Sequence, residues 1–167
     1  MRYKLSLIDW IGKACPAPHC KLMISSRPTM PTYLLDTTPL AAYLFGRRKA
    51  IERIDPLVDA RDVLTSIVVY GEIEEFIKPM SNYRGLHDDL RRQLRWIRPL
   101  PITYAIMELY ADIRLQMRAP RGTGVLSDSD ILIAATALHY HLTVITANVK
   151  DFRRVPGLSY EELRTTP

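Results

Sequence analysis

Short apolar runs alternate with longer segments of helical spacing along most of the chain. Each run is about five residues long and stops at a polar residue, as buried strands do. The runs are TYLLD (32–36), DVLTS (62–66) and LTVIT (142–146). The clearest helical segments between and around them are PLAAYLFG (39–46), TYAIMELYADIRLQMR (103–118) and SDSDILIAATALHYH (127–141). This alternation predicts a three-layer α/β/α fold, in which a central, mainly parallel sheet lies between helices.

Other segments are less regular. KAIERIDPLV (49–58) has helical spacing, with a break expected near Pro56. IVVYGEIEEFIKPM (67–80) can begin as a strand, although Ile73, Phe76 and Ile77 have helical spacing.

The remaining segments complete the chain. RPLPI (98–102) is a short connection or strand, ANVKDF (147–152) predicts a turn, and PGLSYEELR (156–164) closes the chain without an assigned element. YRGLHDDLRRQLRWI (83–97) predicts an amphipathic helix. Its apolar stripe is Leu86, Leu90, Leu94 and Ile97.

Domain organisation follows from a change near residue 30. Residues 1–30 have no clean period, and we expect a loosely ordered N-terminal extension or a mis-set start there, with the domain at 31–167. The extension contains Cys15, His19 and Cys20, but three ligands without a second cluster do not make a zinc site. The cysteine-free remainder is typical of the reducing cytoplasm.

Bulk properties fit one globular domain. The chain has 167 residues, of which 47% are hydrophobic, so it can bury a core. No run approaches the ~18 apolar residues that a membrane span needs. The net charge of +5 suggests nucleic acid, but residues 1–30 contribute +4 of it, so any basic groove in the domain is local.

Acidic residues stand where the predicted strands end. Asp36 ends the first strand, Glu72 follows the second, and Asp130 begins the helix that leads into the third. The third strand stops at Thr146 and is followed by Asn148 and Asp151. Because reactive groups in open α/β sheets collect beyond the carboxyl ends of the strands, we expect these residues at one edge. Asp130 can equally be a helix-capping acid.

Several carboxylates at one edge repel one another unless they share a cation. Oxygen ligands without His or Cys favour Mg²⁺ or Mn²⁺ over Zn²⁺. Such an ion assists phosphodiester cleavage by activating water and by stabilising charge on the phosphate. The pattern therefore favours metal-dependent phosphate chemistry.

Four segments carry a family resemblance. YLLDTTPL contains an Asp-Thr pair, Asp36 and Thr37, and LTSIVVYGEI contains Glu72. In SDSDILIAATAL, Asp130 directly precedes a buried-helix motif, and LTVITANVKDFRRVPGL contains the closing strand, turn and tail. From about residue 31 to 160, the chain resembles the PIN domain, specifically the VapC-type ribonuclease toxins of type II toxin–antitoxin pairs.

The resemblance implies a Mg²⁺- or Mn²⁺-dependent endoribonuclease that cleaves RNA phosphodiesters with metal-activated water. It implies that Asp36, Glu72 and Asp130 hold the metal, and that Thr146 or Thr37 orients a carboxylate or water. The partners that it implies are an RNA substrate, a second copy of the chain and a cognate antitoxin whose tail fills the acidic groove.

Some alternatives stay open. Asn148 stands where many relatives carry Asp, with Asp151 as the alternative, and Glu74 and Glu75 are rivals to Glu72. The alternative function is a non-catalytic PIN-fold module that binds RNA or an antitoxin. A haloacid-dehalogenase-type phosphatase is disfavoured because Thr38 replaces its second Asp, and dinucleotide binding lacks G-x-G-x-x-G.

Further charged and aromatic residues have two interpretations. Asp128 is predicted to be a solvated acid, and Arg118 and Arg121 contact RNA phosphate or form an ordinary basic loop. A set of arginines surrounds Trp96 and forms either an RNA-binding arm or, as we prefer, a solvated face. The set is Arg91, Arg92, Arg95 and Arg98. The apolar residues of 107–115 predict core or dimer surface.

Overall fold

A parallel five-stranded sheet forms the centre of the molecule. The computed structural model describes residues 31–117 and 126–164. The strands are β1 (Tyr33–Leu35), β2 (Val63–Ser66), β3 (Pro99–Leu100), β4 (Thr143–Thr146) and β5 (Tyr160–Glu162). They are ordered β3-β2-β1-β4-β5, and every neighbouring pair is parallel. Tyr33 is in register with Val63 on one side and Thr143 on the other.

Helices surround this sheet. In the described ranges they are α1 (Thr37–Leu44), α2 (Arg48–Asp59), α3 (Ile67–Ile77), α4 (Tyr83–Gln93), α5 (Tyr104–Gln116), α6 (Asp128–Tyr140) and α7 (Val149–Phe152). Successive residues of a strand point to opposite faces of a sheet. Because consecutive residues of β1, β2 and β4 are buried, both faces of the sheet are covered. The predicted three-layer α/β/α fold is confirmed.

Two predictions about buried helix faces are also confirmed. The stripe Leu86, Leu90, Leu94 and Ile97 is buried along and just beyond α4. In α6, six residues from Ile131 to Ala137 are buried. A helix that is apolar nearly all round belongs in the interior, so α6 is a buried crossover into β4.

Three local predictions need correction. No strand begins at Ile67, because Ser66 caps α3 directly by accepting the amide hydrogen of Val68. The helix α2 continues through Pro56. Proline has no amide hydrogen to donate, so one helical hydrogen bond is missing there, but the helix does not end. The closing segment contains β5, which the pattern missed because this short edge strand is mostly exposed.

Some expectations lie outside the described residues. They are the extension at 1–30 with Cys15, His19 and Cys20, and the arginines Arg118 and Arg121. Within the part of the chain that the structure describes, no helix has the length and apolar character of a membrane span.

Candidate active site

The predicted acids meet at the carboxyl edge of the sheet. Asp36 directly follows β1, and Thr146 is the last residue of the neighbouring strand β4. Glu72 lies on α3, which begins where β2 ends, and Asp130 lies in the first turn of α6. Parallel strands place these positions at one edge. We call the group Asp36, Glu72 and Asp130 the acid notch.

Asp36 is buried, with 5% of its surface exposed, and neutral donors hold both of its oxygens. Oδ1 accepts the amide hydrogen of Thr37 at 2.7 Å, and Oδ2 accepts the hydroxyl of Thr146 at 2.6 Å. The first bond makes Asp36 the N-cap of α1. The local fold therefore fixes this carboxylate between the ends of two strands.

Glu72 is distinguished from its rivals by its partner. The hydroxyl of Thr37 donates to Glu72 Oε2, which joins α3 to the residue after Asp36. Glu74 instead accepts from Tyr83 at 3.1 Å and lies 2.6 Å from His87 Nδ1, and Glu75 is exposed. Of the three glutamates, Glu72 is the one that is hydrogen-bonded to Thr37, the residue that follows Asp36.

Asp130 is held by Ser127, the N-cap of α6. The Ser127 hydroxyl donates to Asp130 Oδ2 at 2.7 Å and accepts the amide hydrogen of Asp130 at 3.0 Å. Asp130 therefore takes part in the N-terminal cap of α6 and also belongs to the acid notch. Each acid of the notch has one hydroxyl donor, from Thr146, Thr37 or Ser127.

Asn148 and Asp151 form a pair beside Thr146. The amide nitrogen of Asn148 donates to Thr146 Oγ1 at 2.8 Å, and its side-chain nitrogen donates to Asp151 Oδ2, also at 2.8 Å. Arg154 lies 3.8 Å from the other oxygen of Asp151. Asn148 therefore connects the strand end to Asp151.

The notch carries charge that burial makes costly. Burial raises the pKa of Asp36 to about 6, against the opposing hydrogen bonds from Thr146 and Thr37. The negative charges of Asp130 and Glu72 contribute to this raised pKa. Burial also raises the pKa of Asp130, with added contributions from the charges of Asp151 and Glu72. The four carboxylates therefore act on one another electrostatically.

The donor set suits a hard divalent ion. Among residues 31–117 and 126–164, no three Asp, Glu, His or Cys side chains enclose an ion by themselves. Mg²⁺ nevertheless commonly binds through one or two carboxylates, and its remaining ligands are waters and substrate phosphate. Asp36, which is buried, and Asp130, which is half-buried, have raised pKa values, and within the described residues their hydrogen bonds come from neutral donors, which fits that mode.

An open cleft of about 950 Å³ adjoins the notch. Residues from α1, the start of α2, and α3 line it, among them Thr37, Phe45, Arg47, Arg48 and Phe76. Thr37 lines the cleft and donates a hydrogen bond to Glu72 of the acid notch. Sequence patterns missed the cleft, because Phe76 has the helical spacing of a core residue yet is 54% exposed.

Two other predictions concern the surface. Asp128 is exposed as expected, but it has partners: it accepts from Tyr110 at 3.0 Å and pairs with Arg114. The four arginines around Trp96 are exposed, and Trp96 is 60% exposed. Trp96 and Arg98 lie just before the edge strand β3, whose Pro99 is in register with Thr65 of β2. Their exposure agrees with both interpretations, the solvated face and the RNA-binding arm.

Comparisons with known proteins identify the family of this chain. The family match is to the PIN domain, over residues 33–158. This chain belongs to the PIN domain family. A curated relative of this PIN domain is Ribonuclease VapC1 of Haemophilus influenzae (strain R2866). The two are 25% identical over 138 residues, which cover 78% of this chain and 96% of the relative.

Solved structures share the fold of this PIN domain. One is a DNA-bound VapBC from Salmonella typhimurium, with a TM-score of 0.72 at 20% identity, covering 81% of this chain and 100% of that one. Another is FitAcB from Neisseria gonorrhoeae, with a TM-score of 0.66 at 25% identity, covering 77% and 96%. The predicted PIN-like architecture is therefore confirmed.

Proposed function

We propose that this PIN domain is a Mg²⁺- or Mn²⁺-dependent endoribonuclease and the toxin of a VapBC-type toxin–antitoxin pair. The observation that carries the proposal is the acid notch, where each of three carboxylates is held by a neutral hydroxyl donor. The curated relative is named a ribonuclease, and this chain covers 96% of its length. Both facts support the reaction class.

Asp36, Glu72 and Asp130 are the residues that would hold the ion, directly or through water. When bound, the ion supplies acidity to a water molecule and offsets charge on the phosphate. The chain's own contribution is position. Thr146, Thr37 and Ser127 fix the carboxylates, so little reorganisation is needed when RNA arrives.

Asp151 is our candidate for the fourth acid, with Asn148 as its anchor. The charge of Asp151 raises the pKa of Asp130, and its hydrogen bond to Asn148 leads back to Thr146 and the notch. On this assignment Asn148 stands where many relatives carry an acid, and its side chain orients the carboxylate of Asp151 one turn later.

The proposal includes protein partners. The structural neighbours include VapBC and FitAB complexes, which supports a cognate antitoxin here. A homodimer is supported by exposed apolar side chains on α5, because such stripes mark association surfaces. They are Tyr104, Met107 and Leu115. We assign the toxin to the cytoplasm, where its RNA substrate lies.

RNA cleavage by the purified full chain tests the function. We expect activity with Mg²⁺ or Mn²⁺, none with EDTA, and a loss of about a thousandfold or more in Asp36→Asn and Asp130→Asn. The matched control is Glu75→Gln, an exposed acid on α3, which should cleave at the wild-type rate. If both Asn variants cut as fast as the wild type, the notch is not the active site.

The non-catalytic alternative makes a different prediction. A module that only binds RNA or antitoxin needs no divalent ion at the notch. Titration calorimetry with Mg²⁺ and Mn²⁺ should show binding to the wild type that Asp36→Asn removes. RNA binding without divalent-ion binding or cleavage would favour the binding module.

A further inference from the structure

The cleft beside the notch is built from two helices that both start in the site. On α1, Thr37, Ala41 and Phe45 follow at four-residue steps and therefore share one face. On α3, Phe76 follows Glu72 by one turn. The helices are joined at one end by the Thr37–Glu72 hydrogen bond and at the other by the rings of Phe45 and Phe76.

The far end of the cleft is aromatic. The ring centroids of Phe45 and Phe76 are 6.0 Å apart at an angle of 90°, an edge-to-face contact. Phe45 remains 38% exposed and Phe76 54% exposed. Two phenylalanines that already contact each other and still present ring surface to solvent leave a platform on which another flat ring can stack.

The rim of the cleft is cationic. Arg47, Arg48 and Lys49, at the start of α2, all line it and are exposed. Arg48 has a loose surface pair with Glu52, at 3.7 Å. Such exposed pairs contribute little and are readily exchanged for another anion. Because the acid notch repels a polyanion, positive charge next to it gives the RNA backbone a favourable path to the site.

We propose that this cleft binds the nucleotides of single-stranded RNA that flank the scissile phosphate. A base stacks on Phe45 and Phe76, and adjacent phosphates contact Arg47 and Arg48. The inference rests on the proposed ribonuclease function. Phe45 lies about 12 Å from Thr37 along the axis of α1, which places the platform beyond the reacting phosphate. The cleft volume is within the range of sites that enclose small ligands.

Single-stranded RNA fits this lining better than an apolar peptide does. Base–aromatic stacking with cationic contacts to the backbone is the usual mode of single-strand binding. A purely apolar helix would fill the floor but would bring no negative charge to the cationic rim. A protein occupant is therefore the competing outcome of the test.

The test measures RNA affinity separately from hydrolysis. Fluorescence anisotropy of a labelled, mixed-sequence oligoribonucleotide in EDTA gives Kd, and cleavage with Mg²⁺ gives KM and kcat. We expect Phe45→Leu and Phe76→Leu each to raise Kd and KM about fivefold or more, with kcat within about twofold. Phe76→Trp, which keeps an aromatic face, should restore the wild-type Kd.

The arginines are tested by salt. The Arg47→Gln/Arg48→Gln double variant should reduce the slope of log Kd against log salt concentration by about 1.4. The matched controls are Trp96→Leu and Arg95→Gln, an exposed aromatic and an exposed cation between α4 and β3 that do not line the cleft. They should leave Kd, KM and the slope unchanged. Thermal unfolding confirms that each variant is folded.

The outcomes separate the two proposals. Wild-type RNA binding that the cleft variants weaken, without any cleavage, would support the cleft and contradict the nuclease. Cleavage with unchanged Kd and KM in the cleft variants would overturn the cleft and leave the nuclease intact. Variants that keep RNA affinity but escape inhibition by the cognate antitoxin would assign the cleft to a protein and also overturn it.

Discussion

Two carboxylates flank Ile145 of β4 on opposite sides, and the chain treats them differently. Glu161, in register with Ile145 on β5, has a bidentate pair with Arg53 at 2.6 and 2.8 Å. Asp36, whose amide donates to the Ile145 carbonyl, accepts from one amide and one hydroxyl among the described residues. The hydrogen bond from Arg53 lowers the pKa of Glu161, whereas burial raises that of Asp36 to about 6.

Among the described residues, Glu161 is hydrogen-bonded to a cation, whereas Asp36 is hydrogen-bonded to neutral groups. Arg53 also lies over the Tyr33 ring, at 4.9 Å, so α2 is fixed to the sheet through a compensated charge. Asp36 shares its surroundings with Glu72 and Asp130 instead. Glu161 therefore has a cationic partner in the fold. Under the proposed function, the partner of the notch acids is a divalent ion from solution.

The largest expected effect is on the stability of metal-free protein. Because the folded pKa of Asp36 is raised, the folded state holds its proton longer than the unfolded state. The contribution of Asp36 to stability should therefore be complete below pH ~4 and fall by about 3 kcal/mol as pH rises from about 4 to about 6. Asp36→Asn should remove this fall and be more stable than the wild type at pH 8.

Urea unfolding in EDTA at several pH values measures this difference. Asp112→Asn, at an exposed position on α5, is the control and should follow the wild-type profile. If the free energy of unfolding changed with pH in the same way in the wild type and in Asp36→Asn, burial would not raise the pKa of Asp36. Added Mg²⁺ should stabilise the wild type at pH 8 and have little effect on Asp36→Asn.

A smaller effect is expected at Ser127, the neutral donor of Asp130. Ser127→Ala removes both the cap of α6 and the hydroxyl on the carboxylate, at a cost of about 1 kcal/mol in stability. It should also weaken Mg²⁺ binding by roughly tenfold, as measured by calorimetry. Ser127→Thr keeps the hydroxyl and should restore both. Weakened stability with wild-type Mg²⁺ affinity would limit Ser127 to capping.

The smallest effect is expected at the compensated pair. Arg53→Gln should reduce stability by about 1 kcal/mol or less, because the pair is partly exposed. The lowered pKa of Glu161 means that the contribution of the pair is present near neutral pH and is lost as pH falls. RNA cleavage and its metal dependence should not change. A large loss of activity in Arg53→Gln would contradict the division between the two carboxylates.

The sequence predicted the parts of this site that depend on local pattern. Asp36 was predicted because it ends an apolar run, and Asp130 because it begins an apolar helix. The choice of Glu72 over Glu74 and Glu75 rested on a motif, and only the fold brings it to Thr37 while Glu74 meets Tyr83 and His87. Contacts between residues distant in the chain have no local signal.

The cleft and β5 were missed for a different reason. Apolar residues at helical spacing look the same whether they face a core or an open cleft, so Phe45 and Phe76 gave no sign of their exposure. Tyr160–Glu162 has the composition of a surface segment and becomes a strand only because β4 offers a parallel partner.

Thr146 relays a hydrogen bond from the turn that follows β4 to the carboxylate after β1. Its oxygen accepts from the backbone amide of Asn148, and its hydroxyl hydrogen donates to Asp36 Oδ2. This donation favours the ionised carboxylate and partly offsets the cost of its burial. A serine at 146 would keep this donor and a valine would remove it, so the ionisation of Asp36 depends in part on one hydroxyl of the neighbouring strand.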